Sequence, residues 1–206
     1  MILNKDIRNI INYHLMNNWI LESGYLELII GPMYSGKTSR LINIYNQCIL
    51  SKIDVYVINH SSDIRYDAKL LTSHNQEKIP CYQTDSLSKF TNDICGKNIK
   101  NNAVILVNEG QFFTDLKENV LFWVEKLNLR VYVAGLDSDF KREKFGQIND
   151  IIPFCDQIEK LYSFCSKCQN GTRAIFSHRI TNEQNQVVVG SDNYLPLCRN
   201  CFIKTI

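Results

Sequence analysis

Eight consecutive residues read GPMYSGKT: Gly31, Pro32, Met33, Tyr34, Ser35, Gly36, Lys37 and Thr38. They fit the spacing G-x-x-x-x-G-K-[ST], and each part of it has a chemical use. Glycines let backbone N–H groups close around phosphate oxygens, and a helix starting behind them adds positive potential. Lys37 would reach the outer phosphates, and the Thr38 hydroxyl would ligate magnesium. The flanks are those such a loop needs. An apolar run, LELII over residues 26–30, enters it, and Leu41, Ile44, Tyr45, Cys48 and Ile49 leave it at helical spacing. A chance glycine-rich turn would lack both flanks, so the pattern predicts binding of a nucleoside triphosphate.

A second chemical feature is the carboxylate of Glu109, at the end of the apolar run AVILV over residues 103–107. A carboxylate at such a strand tip lies across from the nucleotide, where it can hold magnesium through water or take a proton. A third is a pair of C-x-x-C knuckles, Cys165 with Cys168 and Cys198 with Cys201. Four thiolates match a closed tetrahedral zinc site, with two local disulfides as the alternative. The remaining cysteines, Cys48, Cys81, Cys95 and Cys155, are scattered, which fits a reducing compartment. A closed site of four cysteines has no open position for substrate, so its expected role is structural.

The elements that must position these groups follow from the intervening pattern. Residues 54–58 (DVYVI) predict a second strand running into a polar segment, and residues 130–136 a fourth, with a helix carrying Leu116, Val120, Trp123, Val124 and Leu127 between the third and fourth. Strands alternating with helices predict an α/β fold with a mainly parallel sheet covered on both faces. The loop over residues 137–146 carries Phe140 and Phe145 among alternating charges; it would grip a planar ring, or merely be anchored by its aromatics. Upstream, Leu3, Ile7, Ile11, Leu15 and Trp19 recur every fourth position and predict an added helix. Asn and charged residues interrupt that stretch, unlike a secretory leader.

At 206 residues the chain suffices for one sizeable core with a small appendage. Its formal net charge of +2 gives no argument for nucleic acid, and its apolar runs are too short to cross a bilayer.

Together these pieces resemble the type II thymidine kinases, the family of the human cytosolic and poxvirus enzymes. The resemblance spans residues 26–202 and rests on motifs in one order: GPMYSGKT, DIRY at 63–66, NEGQFF at 108–113, GLDSDFKREKFG at 135–146, VVVGSDNYLPLC at 187–198, and the paired knuckles. It implies a P-loop NTPase-type α/β domain over residues 25–157, after a helical extension at 1–24 and before a zinc-binding lasso domain at 158–206. The implied reaction is phosphorylation of deoxythymidine by ATP with magnesium, in deoxynucleoside salvage. The resemblance makes Glu109 the general base for the 5′-hydroxyl, and puts Asp63, Arg65, Asn108 and Gln111 at the nucleotide. Met33, Leu136, Phe140 and Phe145 would line the base pocket. The lasso would close over the nucleoside with Tyr194 and with groups near Ser177, Val188, Val189 and Gly190. A cytoplasmic homotetramer inhibited by deoxythymidine triphosphate is also implied, with no nucleic acid or membrane partner.

One departure stands out. The family pattern has aspartate where this chain has Asn108, which keeps the shape but removes a charge. That departure leaves open a catalytically weakened relative of the kinases, and the strand-tip Glu109 beside a phosphate loop, with a zinc ribbon following, leaves open an ATPase acting on nucleic acid.

Overall fold

A computed structural model of the chain describes residues 23–63, 70–95, 99–100, 102–188 and 190–205. The helical stripe expected over the first 22 residues lies outside the described residues, as do Arg65 and Val189.

The main sheet is built from runs in which alternate side chains face opposite layers. In β1 (Tyr25–Ile30), Leu26, Leu28 and Ile30 join one buried cluster, while Ile29 joins the other. In β6 (Val104–Asn108), Ile105 and Val107 join the first cluster, and Val104 and Leu106 the second. That period of two is what a sheet covered on both faces requires. The second face is closed by α1 (Lys37–Leu50), through Leu41, Ile42, Ile44 and Cys48. The first is closed by α2 (Leu87–Phe90) and α3 (Leu116–Leu121), each running on into a wider turn, with Phe90, Leu116, Val120 and Trp123 fully buried.

Six strands lie in the order β5 (Tyr82–Thr84), β2 (Val55–His60), β6, β7 (Arg130–Gly135), β1, β8 (Gln157–Lys160), and every neighbouring pair is parallel. The order has a functional consequence. Because β7 stands between β1 and β6, the backbones of those two strands lie two spacings apart, about 10 Å. The phosphate loop after β1 and the residues after β6 therefore reach one cavity from different sides.

The parallel sheet and its two helical layers are those expected from sequence. The details differ: β2 extends to His60, and Ile42 is buried on α1 while Ile49 is 55% exposed. Two short edge strands, β5 and β8, and a hairpin of β3 (Leu70–Thr72) with β4 (Lys78–Pro80) were not foreseen. Beyond the sheet, β9 (Ser163–Phe164) pairs with β10 (Arg173–Ala174), and β11 (Phe176–Arg179) with β12 (Tyr194–Leu197), before α4 (Arg199–Ile203). Among the described residues this unit buries Cys165, Ala174, Leu197, Cys198 and Phe202, with Cys168, Phe176 and Cys201 packed against them, a small apolar core to hold it alone. Among the described residues, no helix is long and apolar enough to cross a membrane.

Candidate active site

A cavity of about 400 Å³ opens at the carboxyl ends of the central strands, where ligands of parallel sheets collect. Its floor is the phosphate loop from Met33 to Thr38. Asp63 after β2, Glu109 and Gln111 after β6, and Leu136 after β7 form its sides together with Phe145. Val188, Gly190 and Tyr194 close it from the C-terminal unit.

The phosphate loop is held open by its backbone. Gly31 sits at φ 152° and Gly36 at φ 86°, both favouring glycine, and Tyr34 is left-handed as well at φ 63°. A side chain on Gly31 would also strike the Leu161 carbonyl, 2.6 Å from where its Cβ would lie. Lys37 Nζ donates to the carbonyls of Gly31 (3.0 Å) and Pro32 (2.7 Å), so its charge lies within the loop. The first turn of α1 begins at Lys37 and presents the positive end of the helix to the same place.

Asn108 is the centre of a buried polar chain. Thr38 Oγ1 donates to Asn108 Oδ1 at 3.4 Å, Asn108 Nδ2 donates to Asn59 Oδ1 at 2.9 Å, and Asn59 Nδ2 donates to Asp63 Oδ2 at 3.2 Å. Asn59 and Asn108 are 3% and 2% exposed, so these bonds are not replaceable by bulk water. An amide both accepts and donates, whereas a carboxylate at position 108 could only accept. The asparagine therefore suits its immediate surroundings, and the row of hydrogen bonds ends on the carboxylate of Asp63.

Glu109 has left-handed backbone, φ 54° and ψ 42°, a conformation costing a non-glycine residue about 1 kcal/mol or more. It turns the side chain out of the strand direction and into the cavity. Gln111 Nε2 donates to Glu109 Oε2 at 2.6 Å, and Gln111 Oε1 accepts from the Leu136 N–H at 3.0 Å. Both ends of this buried amide are thus engaged, which fixes its orientation and that of the carboxylate. Gly146 permits the arrangement, since a Cβ there would lie 2.1 Å from the Gln111 carbonyl oxygen. His60 is buried against the rings of Phe112 and Phe113, its Nδ1 accepts from the Ser62 N–H, and burial lowers its pKa. It packs on the two rings, although the charges of Asp85, Glu109 and Asp115 act on it in the opposite sense to burial.

On the opposite wall, Phe145 is buried edge-on to Phe112, with ring centres 5.5 Å apart. Ser177 Oγ accepts from the Met33 N–H at 2.9 Å, tying the C-terminal unit directly to the phosphate loop. Tyr194 Oη donates to the Val188 carbonyl at 3.2 Å. Phe140 is placed differently from its neighbours in the motif: it lies beneath the Arg179 guanidinium at 3.7 Å and is not among the residues lining the cavity. Sequence reasoning gave no role to His74, which lines the cavity and stacks on Tyr34 with ring centres 5.0 Å apart. It also missed Asn59, Arg179 and Gln186, whose partners are remote or irregular backbone and leave no local signature.

The four knuckle cysteines converge, with all Sγ atoms within 4.8 Å of one another. All four are free thiols; Cys168 Sγ lies 3.7 Å from Cys198 Sγ and 3.4 Å from Cys201 Sγ. Four sulfurs at about 2.3 Å from one zinc stand about 3.8 Å apart, so the donor set and its spacing fit zinc. Cys198 Sγ also accepts from the Cys201 N–H, the kind of backbone bond that supports a thiolate ligand.

The family model described as thymidine kinase matches residues 24–202. The thymidine kinase of Oryza sativa subsp. japonica is 35% identical over 182 residues, covering 87% of this chain and 66% of its own length. That of Yaba monkey tumor virus is 35% identical over 185 residues, 89% of this chain and 97% of the viral protein. That of Bacteroides thetaiotaomicron is 33% identical over 185 residues, 88% of each chain. The chain thus spans just under two thirds of the rice protein and nearly all of the viral one.

Proposed function

This chain belongs to the thymidine kinase family, and from that premise we propose that it transfers the γ-phosphate of ATP to the 5′-hydroxyl of deoxythymidine. The observation carrying this reading is the position of Glu109, fixed by Gln111 and facing the phosphate loop across one cavity. In this reading ATP lays its phosphates on the loop, where backbone N–H groups and Lys37 neutralise them. Thr38 and Asn108 would hold magnesium, which supplies further charge neutralisation when bound. The nucleoside enters against Met33, Leu136 and Phe145, with Tyr194 and the Val188–Gly190 backbone closing behind it. Glu109 takes the hydroxyl proton as the oxygen attacks. Alignment and exclusion of water do the remaining work, because phosphoryl transfer needs little covalent help from protein.

Zinc on Cys165, Cys168, Cys198 and Cys201 would fix both ends of the loop over residues 169–197 without touching substrate. The family resemblance supports a homotetramer in the cytoplasm, with deoxythymidine triphosphate as feedback inhibitor. Arg65 and Val189, which the same resemblance assigns to the site, lie outside the described residues.

Release of ADP should depend on thymidine and be unaffected by DNA or RNA. Stimulation by nucleic acid in place of thymidine would favour the zinc-ribbon ATPase instead.

A further inference from the structure

Arg179 ends β11 and is 4% exposed. Its Nε donates to Tyr194 Oη at 3.2 Å; one terminal nitrogen donates to the carbonyls of Glu183 (3.0 Å) and Asn185; the other donates to the Gln186 carbonyl (2.9 Å) and to Tyr194 Oη (2.5 Å). One face of the guanidinium covers the Phe140 ring. Among the described residues all these partners are neutral. A buried cation without a counter-ion is costly unless its donors are satisfied, and here each N–H direction meets an oxygen.

The three carbonyls, of Glu183, Asn185 and Gln186, belong to a stretch, residues 181–190, that has no helix or strand among its described residues. Its carbonyls therefore turn inward onto one side chain, which substitutes for the regular hydrogen bonding the segment lacks. Two further links carry the constraint to the cavity. Gln186, whose carbonyl Arg179 holds, extends Nε2 to Asp139 Oδ2 (2.9 Å) and the Lys144 carbonyl (3.0 Å) across the cavity mouth. Tyr194, which accepts from Arg179, donates to Val188. Gln186, Val188 and Tyr194 all line the cavity.

We propose that Arg179 is a positioning residue that shapes the substrate loop from within and holds it closed before nucleoside arrives, with Gln186 latching it to the loop over residues 137–146. That the enclosed ligand is a nucleoside rests on the function proposed above; the closure itself does not. Preorganisation of this kind raises affinity by removing the ordering cost from the binding step. Lysine cannot replace it, having a point charge and three donors in place of a planar fork.

The test is Arg179→Lys in the full-length zinc-loaded protein, read first by cleavage after Glu183 with a glutamate-specific protease in the absence of nucleoside. Cleavage in the variant should accelerate about 10-fold or more, since several charge-assisted bonds are lost, with zinc content unchanged. The KM for thymidine should rise about 10- to 100-fold while that for ATP stays constant. Should the lysine variant fail to fold, Tyr194→Phe removes the shared hydroxyl alone and should speed the same cleavage to a smaller extent. Unchanged cleavage in the folded variant overturns the proposal, and so does a parallel rise of both KM values. Faster cleavage of the variant, in a protein whose native form phosphorylates no thymidine, would uphold the role of Arg179 and refute the substrate reading.

Discussion

The phosphate loop and the loop between the cysteine pairs both hold irregular backbone around a ligand, and they do so by opposite means. The first is shaped by its own chain: left-handed glycines, a helix start and a lysine folded onto carbonyls five and six residues away. The second is shaped by distant groups: four sulfurs at its base, Arg179 inside it, and Gln186 reaching to Asp139. A loop encoded mostly by its own residues keeps its general shape when one remote partner is lost, with a modest cost in affinity. A loop encoded by remote side chains can be loosened by a single change far from the chemistry. Ser177, through its bond to Met33, is where the two systems meet.

Substitutions on the two sides should therefore separate kinetically. Glu109→Gln, on the phosphate side, should lower turnover by about 10²–10⁴-fold, the usual contribution of a positioned base, with ATP affinity nearly intact. Near-normal turnover would place the base elsewhere. Cys198→Ser should reduce bound zinc from one per chain and raise the KM for thymidine about tenfold or more, with a smaller change for ATP. Metal analysis alongside both constants checks this; an active native protein lacking zinc would remove its basis.

Ser177→Ala tests the tie between the regions. Losing one hydrogen bond of about 1 kcal/mol should weaken thymidine and ATP together, each by several-fold, because the bond belongs to both loops. A change confined to one substrate would mean that the loops act independently. The smallest effect is expected at Asn108. Asn108→Asp should reduce half-saturating magnesium a few-fold, since hard cations prefer carboxylate. It also removes the donor to Asn59, so a modest drop in melting temperature should accompany it. If magnesium dependence is unaltered, Asn108 takes no part in holding the metal; if an inert native chain gains activity, it is a weakened relative restored.

How far the sequence could be read follows the same division. The loop over residues 31–38, the β6 tip and the knuckles are contiguous patterns whose chemistry is carried by local spacing, and the sheet followed from short apolar runs alternating with helical ones. The stripe on α1 was legible only in part, because the face buried by packing includes Ile42 and leaves Ile49 in solvent. Strand β8 was unreadable from QIEK alone: three of its four residues are exposed, and only pairing with β1 makes it a strand. Asn59, Gln186 and Arg179 acquire roles solely from partners brought near by the fold. Phe140 shows the limit of reading a motif by position. Its neighbour Phe145 faces the cavity, but the arginine nearly forty residues on claims the Phe140 ring.

If these two differently built loops enclose one phosphoryl-transfer site for a nucleoside, the reaction products will show it. The most direct test is product analysis on the purified native protein with ATP, magnesium and thymidine, counting deoxythymidine monophosphate against ADP. The two should form in equal amounts, with ADP falling to background when thymidine is left out. ADP accumulating at the same rate without thymidine, or no deoxythymidine monophosphate at any magnesium concentration, would contradict such a site.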